Sequence, residues 1–249
     1  MKKKIFQAGA CIFGEGRPKI CIPIVEVSRE AIWEKAEQTS VLPADIIEWR
    51  ADFYEHVLEP EAVSAVLKGL KERLGKRALL FTFRTKGEGG NCAVSIDAYD
   101  ALNETAAKAG ADLVDVELYL DEKNAGERIR KLSSFGCRVI VSSHDFQKTP
   151  AVEEMVRRLQ QMEQLGADAA KLAVMPKSRQ DVLNLLQASI TADDLLSVPV
   201  VTMSMGVQGV LSRLGGCLTG SAMTFASAGK TSAPGQIPVE QMACILEVL

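Results

Sequence analysis

One lysine, Lys171, sits inside a run of small and apolar residues, GADAAKLAVMP (166–176). Lysine is among the side chains least often buried, and its amine attacks a carbonyl only as the free base. A lysine in such a run suits covalent catalysis if desolvation or nearby cations favour the neutral form. The apolar strand would supply the first effect, and Arg50 and Arg84 the second. The alternative is a structural ion pair with Asp115 or Glu117. His144 closes the apolar run in VSSHDF (141–146). Histidine is the commonest general acid or base near neutral pH, although a lone histidine also serves structural roles. Arg84 and Glu88 share a glycine-rich stretch, FRTKGEGGNC (83–92). It lacks the GxxxxGK[ST] spacing of a phosphate-cradling loop, and a glutamate there suits orienting an imidazolium. Arg213, in SMGVQGVLSRLGG (204–216), offers a planar fork for a carboxylate or is an ordinary surface arginine. The second histidine, His56 in DFYEHVLEP (52–60), reads as exposed.

These residues need elements to bring them together. Short β-branched runs alternate with helical patterns along the whole chain. The strand candidates span 20–25, 45–50, 78–84, 112–118, 137–144, 168–174, 198–204 and 216–226. Between them, amphipathic stretches start after Ser28, at Pro60 and after Thr149-Pro150, and the last two end in a glycine, the expected helix punctuation. Eight strand–helix alternations with no linker predict a single (β/α)8 TIM barrel over 1–249. A doubly wound open sheet is the competitor, but the early glycine-rich turn it often carries is missing. FGEGRP (13–18) reads as a loop within an N-terminal β-hairpin.

A weak repeat sharpens this reading. PADIIEWR (43–50), GADLVDVEL (110–118) and GADAAKLAV (166–174) share a small residue, Ala and Asp before a strand. Aligned on Ala-Asp, they superpose Glu48, Asp115 and Lys171. Strand side chains alternate faces, so Arg50 and Glu117 share the interior with them, while Ile47, Trp49, Val114, Val116, Ala170 and Leu172 face the helices. Arg84, His144 and Ser204 close other strands at the same end, which in such barrels carries the active site. Burying so many charges without a task would cost several kcal/mol per unpaired ion.

The 249 residues carry 29 Lys+Arg against 32 Asp+Glu, a net charge of −3. That balance argues against a nucleic-acid partner, which needs a clustered basic surplus. No apolar run reaches the length of a membrane span, and MKKKIFQAGACIF is too short in apolar residues for a leader. The six cysteines are scattered without a CxxC, as expected for reduced thiols in a cytoplasmic protein. Two distant histidines build no metal cluster, so no metal is expected.

The residues also resemble the type I 3-dehydroquinate dehydratases (3-dehydroquinases) of the shikimate pathway. The likeness rests on EWRADF, FTFRTKGEGG, DVEL, SSHDFQKTP, KLAVMP, SMGVQGVLSR, GSAMTFAS and SAPGQI, in that order across nearly the whole chain. The resemblance implies a (β/α)8 barrel, a homodimer, and activity without metal or organic cofactor. It implies that Lys171 forms a Schiff base with 3-dehydroquinate, that His144 is the general acid/base, and that Glu88 pairs with that histidine. Glu48, Arg50, Arg84, Arg213, Ser232 and Gln236 would bind the substrate. Met203, Met205 and Phe225 would line the pocket, and Asp115 is placed with them. One departure is Thr219, where many relatives have phenylalanine before the GS of the eighth strand.

Two other readings compete. A class I aldolase also needs a buried strand lysine, but acting on sugar phosphates it would want a phosphate cradle at the last two strands, where this chain offers SR and SAPGQ. A non-catalytic barrel that binds small carboxylic acids would not require Lys171, His144 and Glu88 together. KTSAPGQIP (230–238) reads as a mobile lid or a plain loop.

Overall fold

The β-branched runs pair with their neighbours in chain order and all in one direction. A computed structural model describes residues 5–249; Met1–Lys4, where the leader and whole-chain domain readings begin, lie outside the described residues. A hairpin of β1 (Phe6–Ala8) and β2 (Cys11–Phe13) comes first. Eight parallel strands follow: β3 (Lys19–Ile24), β4 (Ile46–Arg50), β5 (Ala78–Thr82), β6 (Leu113–Glu117), β7 (Arg138–Asp145), β8 (Ala169–Val174), β9 (Val200–Ser204) and β10 (Met223–Ser227). β10 returns to pair with β3. The ring closes through a parallel bridge of Val200 with Ser221 and the Ala222 N–H to Val200 carbonyl bond of 2.8 Å. A two-residue β11 (Ile237–Pro238) pairs parallel with the end of β10. This is the (β/α)8 architecture with an N-terminal hairpin that the alternation predicts.

The helices start where the punctuation places them. α1 (Arg29–Thr39) is capped by the Ser28 hydroxyl, and α2 (Pro60–Leu74) has proline in its first turn and Gly75 after its last. α3 (Ile96–Lys108), α4 (Ala125–Ser134), α5 (Val152–Gln164) and α6 (Arg179–Leu195) follow their strands. After β9 come two short helices, α7 (Val210–Leu214) and α8 (Gly216–Thr219), and α9 (Val239–Leu246) closes the chain.

Two local expectations change. The eighth strand is shorter than 216–226, because Gly216–Thr219 forms α8 and only Met223–Ser227 pairs as strand. Glycines allow the tight approach there: a Cβ on Gly216 would fall 2.7 Å from Pro18 and one on Gly220 would fall 2.1 Å from Asp193. The hairpin turn lies at Gly9-Ala10, so residues 14–18 link the hairpin to β3 instead of forming its turn.

The Ala-Asp repeat has a structural cause. Each aspartate sits just before its strand and accepts the backbone N–H of an earlier neighbouring strand. Asp45 takes Ile20 at 2.8 Å, Asp112 takes Leu79 at 2.8 Å and Asp168 takes Val139 at 3.0 Å. This strap fixes the register of β4, β6 and β8 at the bottom of the barrel. Register then fixes which side chains point inward. Ser142 pairs with Lys171, and Glu117 with Ser142; Thr82 pairs with Asp115.

The interior is layered. Ile46, Leu80, Leu113, Ile140 and Val201 fill the bottom together with Phe6 and Phe13 of the hairpin, which plugs that end. The polar side chains lie above them. Ile47, Trp49, Val114, Val116, Ala170 and Leu172 join the larger core between strands and helices, as alternation requires. Ser204 departs from expectation. Met203 lines the central cavity, so Ser204 faces the other way, where its N–H donates to the Ser212 hydroxyl of α7 at 2.8 Å.

Candidate active site

Lys171 stands at the middle of β8 with its ammonium 2.9 Å from Asp115 Oδ2 and 4.7 Å from the centre of the Phe225 ring. Its nearest ionic partner is therefore Asp115, one of the two carboxylates the sequence offered, while Arg50 and Arg84 line the same cavity. Asp115 was expected among the lining residues. It is instead fully buried, covered by the side chains bonded to it: besides Lys171, Arg84 Nη2 reaches its other oxygen at 2.7 Å, and the Ser142 hydroxyl donates to that same oxygen at 2.6 Å. Burial opposes charge on Asp115, but Arg84 and Lys171, with His144 and the Ser142 hydroxyl, hold its carboxyl well below the usual range.

Above Lys171 opens a cavity at the C-terminal ends of the strands. Glu48, Arg50, Arg84, Glu88, His144 and Lys171 line it from the strand ends. Met203, Met205 and Phe225 supply its apolar wall, and Arg213, Ser232 and Gln236 close the remaining side. The residues expected to act on or bind the substrate thus converge on one cavity, while Asp115, Glu117 and Ser204 stay out of its lining. His56 lies elsewhere; it is exposed and pairs with Glu59.

His144 lies one strand from Lys171, with Ala173 as its register partner. Glu88 Oε2 meets its Nδ1 at 2.8 Å and accepts its backbone N–H at 3.0 Å. Burial, then the positive charges of Arg84 and Lys171, push the imidazole well below its ordinary pKa. Burial also pushes Glu88 up to about 8 against the pull of Arg84. With Glu88 ionised, Nδ1–H donates to it and Nε2 carries a free lone pair, the form needed to accept a proton.

The arginines divide by partner. Arg84 is spent on groups of the barrel itself: Nη1 donates to the Glu117 carboxylate and the Ser142 hydroxyl, both at 3.0 Å, and Nη2 to Asp115. Arg50 forks onto Asp52 through Nε at 2.7 Å and Nη2 at 2.8 Å. Among the described residues no acid pairs with Arg213. Its Nη2 reaches the Pro234 carbonyl at 3.0 Å, while its buried Nε and Nη1 lack any partner, and burial alone lowers it to about 10. A buried cation without an anion is costly, so this corner of the cavity is built for a negative group brought from outside.

The loop 230–238 folds over the cavity. Ser232 and Gln236 clasp each other, the serine N–H donating to Gln236 Oε1 and the glutamine amide to the Ser232 hydroxyl, both at 3.1 Å. Gly235, at φ +82°, lets the chain pass so close to Gly206 that a Cβ would fall 2.4 Å from its carbonyl oxygen. Among the described residues no three histidine, cysteine, aspartate or glutamate side chains are grouped as metal ligands would be.

The family model of type I 3-dehydroquinase matches residues 20–249. The chain belongs to the type I 3-dehydroquinase family. It is accordingly a carbon–oxygen lyase. The chain is 48% identical to the 3-dehydroquinate dehydratase of Listeria welshimeri over 95% of its own length and 94% of that protein. It is 45% identical to that of Bacillus licheniformis over 99% and 98%. A solved type I 3-dehydroquinate dehydratase from Clostridium difficile, with covalent modified comenic acid, superposes with a TM-score of 0.96 at 42% identity, covering 99% of this chain and 98% of that one. A 3-hexulose-6-phosphate synthase at 20% identity and TM-score 0.60 shares the barrel fold alone.

Several residues that shape this 3-dehydroquinase site went unnoticed in the sequence. Thr82 donates to Glu48 at 2.8 Å, Ser142 bridges Arg84 and Asp115, and Phe146 and Ala233 line the cavity. Thr82 and Ser142 share the inward parity of Arg84 and His144, so the alternation that found the charges held the signal for them too. Asp52 follows Arg50 by two residues in EWRADF, a spacing that carried the hint of an ion pair.

Proposed function

We propose that the protein dehydrates 3-dehydroquinate to 3-dehydroshikimate through an imine on Lys171, with His144 as general acid/base. Lys171 Nζ attacks the C3 ketone and water leaves, giving a protonated imine conjugated to C2. That electron sink acidifies the C2 proton, which His144 Nε2 removes while Nδ1–H stays on Glu88. The enamine expels the C1 hydroxyl as His144 returns a proton to the departing oxygen. Water then hydrolyses the imine and frees the lysine. Substrate carbon loses one H and one OH, and the side chains end as they began.

The observation that carries this reading is the convergence of Lys171 with the His144–Glu88 pair, on adjacent strands, in one cavity. The unpaired Arg213 suits the substrate carboxylate, and Glu48, Arg50, Ser232 and Gln236 suit its hydroxyls. Asp115, at 2.9 Å from Nζ, faces the positive charge that persists when the ammonium becomes a protonated imine. The covalent modified comenic acid in the Clostridium difficile relative accords with covalent chemistry. Holding base and carbon together removes an entropic barrier on the order of several kcal/mol.

The test is direct. Added 3-dehydroquinate should raise ultraviolet absorbance as the conjugated enone forms, and borohydride with substrate should leave a mass adduct mapping to the Lys171 peptide. Absorbance without the adduct would keep the reaction and discard the imine.

The shikimate-pathway role, cytoplasmic location and homodimer belong to the same proposal. Apolar side chains left exposed on α6, α7 and α8, among them Leu183, Leu211 and Leu218, are the surface a second copy would cover. Light scattering should give twice the chain mass, and Leu218→Asp should halve it.

A further inference from the structure

Asp52 lies outside the cavity lining, is 2% exposed, and gathers four donors. Two come from Arg50, as described above. The other two are backbone N–H groups, of Arg84 at 3.4 Å to Oδ1 and of Asn91 at 3.0 Å to Oδ2. Those residues bracket the segment 85–90 that carries Glu88. We infer that Asp52 is a positioning residue that ties the Arg50 guanidinium to the Glu88 loop, so that one buried carboxylate aims both a substrate-side cation and the partner of His144. The inference rests on the proposed roles of Arg50, Glu88 and His144.

The loop itself is a tight unit. The Gly90 N–H bonds the Thr85 carbonyl at 2.8 Å and the Lys86 N–H bonds the Cys92 carbonyl at 3.0 Å. Gly90 passes so close to Arg84 that a Cβ would fall 1.9 Å from its carbonyl oxygen. A unit closed on itself in this way shifts as a body, and its anchors decide where Glu88 sits. Glu117 holds one side, accepting the Thr85 N–H and hydroxyl, both at 2.7 Å. Asp52 holds the other, at both ends. Releasing Asp52 leaves the loop pinned on the Glu117 side and free to tilt, which lengthens the 2.8 Å contact of Glu88 with His144 Nδ1. It also unlocks Arg50, whose Nη1 then loses its fixed aim beside the Ser232 carbonyl, 3.4 Å away. The two consequences fall on different steps: a loose Arg50 weakens substrate binding, and a shifted Glu88 slows proton transfer.

Asp52→Asn keeps the shape but turns an NH2 toward one set of donors. The expected result in the full-length protein is a kcat about 10- to 100-fold lower, a part of the ~10²–10⁴-fold that base assistance supplies, with KM several-fold higher. Borohydride trapping of Lys171 at saturating substrate should persist. The His144 Nδ1–H proton, read by NMR on ¹⁵N-histidine-labelled free enzyme, should move or broaden. The double variant Asp52→Asn/Glu88→Gln should show no kcat loss beyond Glu88→Gln, because Asp52 acts on kcat through Glu88. Losses that multiply, or an unchanged His144 resonance, overturn the inference. Should Asp52→Asn fail to fold, Asn91→Pro breaks the Asn91 N–H bond to Asp52 and sets a ring carbon against that carboxylate, leaving the Asp52 side chain and its two bonds to Arg50 intact. That variant should lower kcat and leave KM alone, and an unchanged kcat would equally overturn the idea. Because the resonance is read without substrate, it judges the tether even if the dehydratase reading fails.

Discussion

Arg213 reaches Pro234 with one nitrogen and leaves two buried nitrogens with nothing to bond: Nη2 donates to the carbonyl at 3.0 Å, while Nε and Nη1 find no acceptor. The free enzyme thus holds a desolvated cation, lowered to about 10 by burial, that an incoming carboxylate would satisfy. Charge-assisted hydrogen bonds are worth about 1.5–3 kcal/mol. Arg213→Met should therefore raise KM by roughly 10- to 100-fold with a smaller effect on kcat. The free enzyme should be as thermostable as the parent or more so, because the unmet guanidinium is gone. A marked fall in melting temperature with KM unchanged would show that the arginine serves the fold.

The lysine can be separated from the rest of the cavity. Lys171→Ala should abolish turnover and borohydride trapping. Substrate binding should remain measurable by calorimetry, since Arg50, Arg213, Ser232 and Gln236 stay in place. Asp115 keeps Arg84 and Ser142 as partners, so the variant should still fold. Near-normal activity would rule out the imine.

The Glu88–His144 pair sets the pH profile. Its base form needs Glu88 ionised, because a protonated Glu88 donates to Nδ1 and leaves the imidazole proton on Nε2, blocking the lone pair. Burial raises Glu88 to about 8, so its protonated form persists up to that pH and is lost above it. The value of kcat/KM, which reports the free enzyme, should rise with pH through about 8. Glu88→Gln removes that titration and leaves an imidazole that burial keeps neutral. Its profile should shift its acid limb to lower pH, with a plateau reduced ~10²-fold or more. A limb that stays in place after the substitution would assign the titration to another group.

Much of this site was legible because strand parity is a strong constraint. Once Glu48, Asp115 and Lys171 are aligned on Ala-Asp, alternation sends Arg50 and Glu117 inward and Trp49 and Leu172 outward, and the structure agrees. The same rule, applied to β9 from its last residue, misled for Ser204. Nothing in VVTMS marks which of Met203 and Ser204 faces in, because a hydroxyl suits either face. Which inward side chains the others cover was also hidden. Asp115 is equivalent to Lys171 in the repeat, yet the side chains of Arg84, Lys171 and Ser142 cover its short carboxylate. The shortened eighth strand reflects glycines whose meaning lies in distant neighbours: Gly216 against Pro18 and Gly220 against Asp193. Such long-range approaches leave no local signature.

The loop 230–238 supplies the last prediction. Lys230 pairs with Glu26, and Ile237–Pro238 pair with β10. Between them, residues 231–236 are held to the barrel by the Arg213 bond to Pro234, the 3.2 Å bond of the Gly206 N–H to the same carbonyl, and the 3.4 Å reach of Arg50 to Ser232. Two of these three contacts come from arginines that the proposed substrate would engage. Occupancy should therefore order the guanidinium groups and, through them, the loop. Hydrogen exchange at the amides of Gly206 and Ser232 should slow when product is bound, and Arg213→Met should lose that protection while exchange in α2 stays unchanged. Identical exchange at both amides with and without product would make the segment a plain connection to α9, with no part in enclosing the site.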